Sequence, residues 1–131
     1  GGEHSAHYYF QEFWNADSGM LAAMHVLAAL GQSDKSLSEL MAEYSRYEAS
    51  GEINSTVEDQ KATTQRVLDE LADKIESVDE LDGVTVQLKD TDAWFNVRAS
   101  NTEPLLRLNV EAKTADEVQS IVDEVLAVIR R

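Results

Sequence analysis

The sequence predicts an α+β architecture: a four-stranded, largely antiparallel sheet with two helices packed on it, preceded by a strand and two helices. Three observations carry this. Runs rich in β-branched and aromatic residues, Val84–Leu88, Ala93–Val97 and Leu105–Val110, follow one another with turn-forming residues between them, as consecutive antiparallel strands do. Asp59–Glu76 and Thr114–Ile129 repeat apolar residues at helical spacing and are charged elsewhere, the pattern of helices with one buried stripe. The helical pattern before them dissolves around Tyr47–Gly51, which divides the chain into residues 1–46 and 47–131.

In the first part, His7-Tyr8-Tyr9-Phe10 is an aromatic run that suits a strand. If Glu3 to His7 is extended, period-two alternation puts Glu3, Ser5 and His7 on one side and His4 on the other. That side then offers a carboxylate, a hydroxyl and an imidazole, groups that exchange hydrogen bonds with sugar hydroxyls and move protons. A helical segment would join His4 to His7 instead, but two imidazoles and one carboxylate are a thin ligand set, and no metal ligand is assigned. Asp17-Ser18 caps a helix whose apolar positions are Met20, Leu21, Met24, Leu27 and Ala28, and Gly31 ends it. His25, between apolar neighbours, receives no functional role. Ser36 and Glu39 form a capping box for a second helix, whose stripe of Leu37, Leu40, Met41 and Tyr44 is expected to be core.

In the second part, Ile53–Val57 reads as a strand, and the helix Asp59–Glu76 carries Val67, Leu68, Leu71 and Ile75 on one stripe. Asp82-Gly83 marks a turn and Lys89-Asp90-Thr91-Asp92 a hairpin connection. The last helix opens with a capping box of Thr114 and Glu117 and buries Val118, Ile121, Val122, Val125, Leu126 and Ile129. Arg130 and Arg131 complement its C-terminal dipole. The order is β-α-β-β-β-α.

The richest chemistry lies in Arg98-Ala99-Ser100-Asn101-Thr102-Glu103-Pro104, between two strands. Backbone N–H groups in such a turn can converge on a phosphate, Ser100 and Thr102 add hydroxyls, and the Arg98 guanidinium can fork onto two oxygens. Pro104, the one proline in the chain, suits the exit from the loop. The same residue types also cap ordinary hairpin turns.

Composition bounds the partners. With 11 basic against 25 acidic residues the formal net charge is −14, which repels nucleic acid and anionic membrane surfaces. An anion site on such a chain needs locally concentrated positive charge, and Arg98 with Arg107 supplies it. Cysteine is absent, which excludes a disulfide framework or thiolate metal site and fits a reducing cytoplasm.

The segment Arg98–Pro104, preceded by Asp82-Gly83-Val84 and followed by Glu111-Ala112, resembles the C-terminal signature of the α-D-phosphohexomutase family. Gly2-Glu3-His4-Ser5-Ala6-His7 resembles the family's sugar-recognition loop. The histidine that ends this motif is most similar to the phosphomannomutase/phosphoglucomutase branch, with Ala6 where that branch usually has glycine and His4 where it often has methionine. The resemblance covers essentially the whole chain and implies that it is the tail of a longer enzyme, with a TATA-box-binding-protein-like C-terminal domain at 47–131 and the remnant of a sugar-binding domain at 1–46. It further implies a hexose phosphate substrate, with Glu3 and Ser5 on sugar hydroxyls, His7 as acid or base, and Arg98, Ser100, Asn101 and Thr102 on phosphate. Magnesium and a bisphosphorylated hexose activator are implied for the full-length enzyme, with the metal ligands outside these residues, and the chain alone is expected to be inactive. The competing class is a non-catalytic α+β binding or assembly module with an incidental arginine loop.

Overall fold

The computed structural model describes residues 1–3 and 6–131. It divides into two compact units, Gly1–Ser45 and Arg46–Arg131.

In the first unit, β1 (Tyr9–Phe10) and β2 (Ala16–Asp17) form an antiparallel ribbon, Tyr9 opposite Asp17. Their connection is a 3-10 turn, Gln11–Phe13, followed by two left-handed residues, Trp14 at φ 55° and Asn15 at φ 54°. Helix α1 (Gly19–Gly31) starts where the Ser18 hydroxyl accepts from Leu21 N at 3.2 Å. Helix α2 (Leu37–Tyr44) carries the expected capping box: Ser36 N donates to Glu39 Oε2 at 2.8 Å, and Glu39 N to Ser36 Oγ at 3.4 Å. The expectation that the α2 stripe is core is corrected: neither helix has a buried residue, and Met20, Leu27, Met41 and Tyr44 are exposed. Two short helices and a two-residue ribbon supply no layer broad enough to cover these stripes.

The second unit is built on a six-stranded antiparallel sheet. Its elements are β3 (Glu48–Ala49), β4 (Ile53–Thr56), α3 (Gln60–Glu70), β5 (Ile75–Asp79), β6 (Val84–Leu88), β7 (Trp94–Ala99), β8 (Leu105–Ala112) and α4 (Ala115–Ile129). Across the sheet, β8 pairs with β7, β7 with β6 and β6 with β5, while β3 and β4 share the other edge of β8. Alternation sorts the faces. Phe95 and Val97 of β7 and Leu106, Leu108 and Val110 of β8 are buried with Val67 of α3 and Ile121, Val122 and Val125 of α4 in one core. The alternate residues Trp94, Asn96, Arg98, Arg107 and Asn109 are half-buried on the opposite, polar face. Burying each large apolar side chain contributes about 1.5–3 kcal/mol.

All four expected strands are present, together with two further edge segments. The expected helix to Glu76 stops at Glu70, a 3-10 turn follows at Ala72–Lys74, and Ile75 enters β5 opposite Leu88. The exposed edge of β6 offers this segment backbone partners that a continued helix would leave unpaired. At α4 the Thr114 hydroxyl accepts from Glu117 N at 3.2 Å, but Glu117 Oε1 accepts from Thr91 Oγ1 at 2.6 Å, so the return arm of the expected box is replaced by a tie to the β6–β7 connection. Arg130 also does more than face a dipole: its Nε donates to the buried Ser55 Oγ at 3.1 Å. No helix among the described residues is long and apolar enough to cross a membrane.

Candidate functional site

Between β7 and β8 the chain turns through residues 100–104. Ser100 N donates to Leu105 O at 3.0 Å, Leu105 N to Glu103 O at 2.8 Å, and Val57 N to Pro104 O at 3.0 Å, so the turn is tied to both strands and to the end of β4. Gln60, the first residue of α3, adds a tie across 40 to 45 positions of sequence. Its Nε2 lies 3.0 Å from Ser100 O, 3.0 Å from Glu103 O and 2.9 Å from Leu105 O. Three carbonyl oxygens, which would repel an anion, are thereby drawn onto one amide nitrogen. Arg98, Ser100, Asn101 and Thr102 are brought together here. Asn101 and Thr102 are exposed, whereas Ser100 is buried and its hydroxyl accepts from Thr102 N at 3.4 Å.

Arg98 is anchored from the neighbouring turn. Its Nη1 donates to Asp82 Oδ2 at 2.9 Å. Gly83, at φ +70°, lets that turn lie against β7: a Cβ there would sit 2.7 Å from Val97 O and 2.9 Å from Arg98 Cβ. Arg107 stands directly opposite Arg98 in the ladder, hence on the same face, and its Nη1 lies 3.4 Å from Glu52 Oε2. Two guanidiniums thus stand opposite one another in a strongly acidic chain, each with one carboxylate beside it that balances its charge. Sequence reasoning missed Gln60 and the pairing role of Asp82. For Asp82 a signal existed in its place directly before Gly83; for Gln60, partnered only over long range, there was none.

In the first unit, the described residues of the segment expected to be extended are tied to one another by backbone hydrogen bonds. Glu3 N donates to His7 O at 2.9 Å, Ala6 N to Glu3 O at 3.1 Å, and Ala6 is left-handed at φ 65°, closing a loop under the Gly2–Tyr8 bridge. Glu3 and Ala6 are thus held by local turn hydrogen bonds rather than by a strand partner. Ser5 and His4 lie outside the described residues. The Glu3 carboxylate accepts from Tyr9 Oη at 2.8 Å, which pushes the Tyr9 phenol above its ordinary range. His7 Nδ1 lies 2.7 Å from Asp17 Oδ2, and Asp17 Oδ1 accepts from Tyr8 N at 2.8 Å. That hydrogen bond from the imidazole raises the His7 pKa and lowers that of Asp17. Asp17, expected to share in capping α1, is committed to this pair, and Ser18 caps alone. His25 stacks on Phe10 with ring centroids 5.3 Å apart, a packing role.

Among the described residues no group of three or more His, Asp or Glu is placed to hold a metal ion.

Two family models match the chain: "Phosphoglucomutase/phosphomannomutase, C-terminal domain" over residues 52–128, and "Phosphoglucomutase/phosphomannomutase, alpha/beta/alpha domain III" over residues 1–47. A phosphomannomutase of Methanocaldococcus jannaschii is 42% identical over 130 residues, covering 99% of this chain and 28% of that protein. "Phosphohexose mutases" of Xanthomonas campestris pv. campestris is 46% identical over 115 residues, 86% of this chain and 25% of that protein. The chain thus spans about a quarter of the length of these curated relatives. The crystal structure of a phosphoglucomutase/phosphomannomutase family protein from Burkholderia thailandensis has the same fold, with a TM-score of 0.77, 22% identity, and coverage of 98% of this chain and 27% of the other.

Proposed function

Because this chain belongs to the phosphoglucomutase/phosphomannomutase family, we propose that it serves a hexose phosphate mutase that moves a phosphoryl group between C1 and C6 of glucose or mannose, through a phosphoserine and a bisphosphorylated sugar. In this reading residues 47–131 bind the phosphate that is not being transferred. Residues 1–46 close the preceding sugar-binding domain. Arg98 forks onto the phosphate, and Ser100, Asn101 and Thr102 surround it. Glu3 and Ser5 hold sugar hydroxyls, and His7 exchanges a proton with the reacting hydroxyl. The phosphoserine, the magnesium ligands and the remaining substrate contacts are assigned to other parts of a longer cytoplasmic protein, with a bisphosphorylated hexose as its activator.

The supporting observation is the turn itself: a guanidinium, hydroxyls and amides on a loop whose carbonyls Gln60 has drawn aside. Phosphoryl transfer depends chiefly on positioning and charge compensation, and such a loop supplies both at the spectator end. Titration of the chain with glucose 6-phosphate should shift the backbone amides of Ser100, Asn101 and Thr102, while the chain alone should not turn over glucose 1-phosphate or mannose 1-phosphate. Shifts scattered away from this turn would overturn the phosphate assignment, and turnover by the chain alone would overturn the division of labour.

A further inference from the structure

We propose that Asp17 is a positioning residue for His7, accepting a hydrogen bond at Nδ1 so that Nε2 alone exchanges the proton of the sugar hydroxyl. The inference rests on the reading of His7 as the proton-transfer group and adds the residue that makes it one. An ionised carboxylate only accepts hydrogen bonds, so a 2.7 Å contact between Asp17 Oδ2 and His7 Nδ1 places the proton on Nδ1 and fixes the tautomer with the lone pair on Nε2. Asp17 cannot swing away freely: its second oxygen is held by Tyr8 N at 2.8 Å, and Ser18 N donates to Tyr8 O at 3.0 Å. The β1–β2 ribbon, with Tyr9 opposite Asp17, brings the two side chains together across ten residues of sequence. The His7 side chain remains 53% exposed, so the ring is oriented without being closed off.

The chemistry follows the logic by which a carboxylate orients a catalytic imidazole. When the sugar oxygen attacks phosphorus, its proton passes to Nε2, the new O–P bond forms, and the donor oxygen leaves with the electrons of the broken bond. The imidazolium so formed faces the negative charge of Asp17. In the reverse half, Nε2–H returns its proton to the departing sugar oxygen. Among the described residues the charged groups acting on the ring are Asp17 and Glu3, both of which favour the protonated form.

The test compares Asp17→Asn, His7→Ala and Ser18→Ala in the full-length mutase, with histidine NMR titration of the 131-residue chain alongside. Asp17→Asn should lower kcat about a hundred-fold with KM nearly unchanged. It should move the His7 limb of the pH profile, and the His7 titration, to lower pH, because the imidazolium loses its counter-ion. Asp17→Glu should restore part of both. Ser18→Ala weakens the α1 cap beside Asp17 but leaves the carboxylate in place, so its pH profile should match the parent. If Asp17→Asn leaves kcat and the pH limb unchanged while His7→Ala is inactive, the positioning role is wrong. Equal effects of Ser18→Ala and Asp17→Asn would also overturn it, by showing that the loss is structural. Full activity of His7→Ala would instead remove the reading of His7 on which the inference stands.

Discussion

Arg98 donates to Asp82 at 2.9 Å, so the guanidinium proposed to grip phosphate already holds a carboxylate. Both side chains are substantially exposed, at 42% and 73%, and an exposed pair of this kind is worth at most about 1 kcal/mol. Asp82 is therefore a displaceable partner that orients Arg98 without blocking it. Asp82→Asn should tighten binding of glucose 6-phosphate to the chain by up to about five-fold, the equivalent of that 1 kcal/mol, as read from amide-shift titration. Weaker binding would show that Asp82 is needed to aim the guanidinium.

Removing Arg98 has the larger effect. In the full-length mutase, Arg98→Ala should cost about 2–4 kcal/mol of transition-state binding, roughly thirty- to a thousand-fold in kcat/KM, with thermal stability of the fold almost unchanged. Arg98→Lys should recover only part, since a point charge cannot reproduce the fork. Activity of Arg98→Ala within a factor of two of the parent would reduce the loop to an ordinary hairpin turn.

Gly83 and Gly51 separate close approach from backbone strain. Both have positive φ, but an added Cβ at Gly83 meets Val97 O at 2.7 Å, whereas at Gly51 it meets nothing within 4 Å. Gly51→Ala should cost about 1–2 kcal/mol, the left-handed penalty alone. Gly83→Ala should cost more, because β7 or the turn must move, and it should carry Asp82 away from Arg98. Denaturant unfolding of the two variants measures the difference, and equal costs would show that the turn relaxes freely.

The parts of this structure legible in the sequence are those written in local periodicity. Val84–Leu88, the strand before Arg98 and the stripe of α4 lie where alternation or helical spacing puts them. β5 was not legible, since Ile75 continues the apolar spacing of α3 and no glycine or proline marks the change; its state is set by the open edge of β6. Asp17 and Gln60 were not legible as site residues, and Asp82 was legible only as a turn residue before Gly83, for the same physical reason. Each acts through a partner that only tertiary structure supplies, and a lone Asp or Gln in sequence says nothing about where its hydrogen bonds end.

Gln60 offers a direct measure of such long-range support. Replacing it with Ala removes the donor shared by three loop carbonyls; Leu105 O and Glu103 O keep Ser100 N and Leu105 N, so the loss falls chiefly on the part-buried Ser100 O and should cost about 1–3 kcal/mol. Gln60→Glu should be worse than Gln60→Ala at neutral pH, because a carboxylate would face the same three oxygens. Thermal unfolding and amide exchange at Ser100–Thr102 report both effects. A Glu variant as stable as the parent would mean that the loop is held by the strands alone.

The exposed stripes of α1 and α2 lead to the last prediction. Met20, Met24, Leu27, Met41 and Tyr44 are between 59% and 76% exposed, a concentration of large apolar side chains that a soluble surface seldom carries without a partner. The second unit has no such need: Phe95, Leu106, Leu108 and Val110 are each only 1% exposed within a core drawn entirely from residues after Arg46. A chain spanning Arg46–Arg131 should therefore fold by itself and sediment as a monomer. The 131-residue chain should show concentration-dependent association through the first unit, at roughly 25 cal/mol for each Å² of apolar surface covered. Met24→Lys with Leu27→Glu should return it to a monomer while the helices persist by circular dichroism. Monomeric sedimentation of the unmodified chain at high concentration, with the stripes still open to solvent, would refute the association.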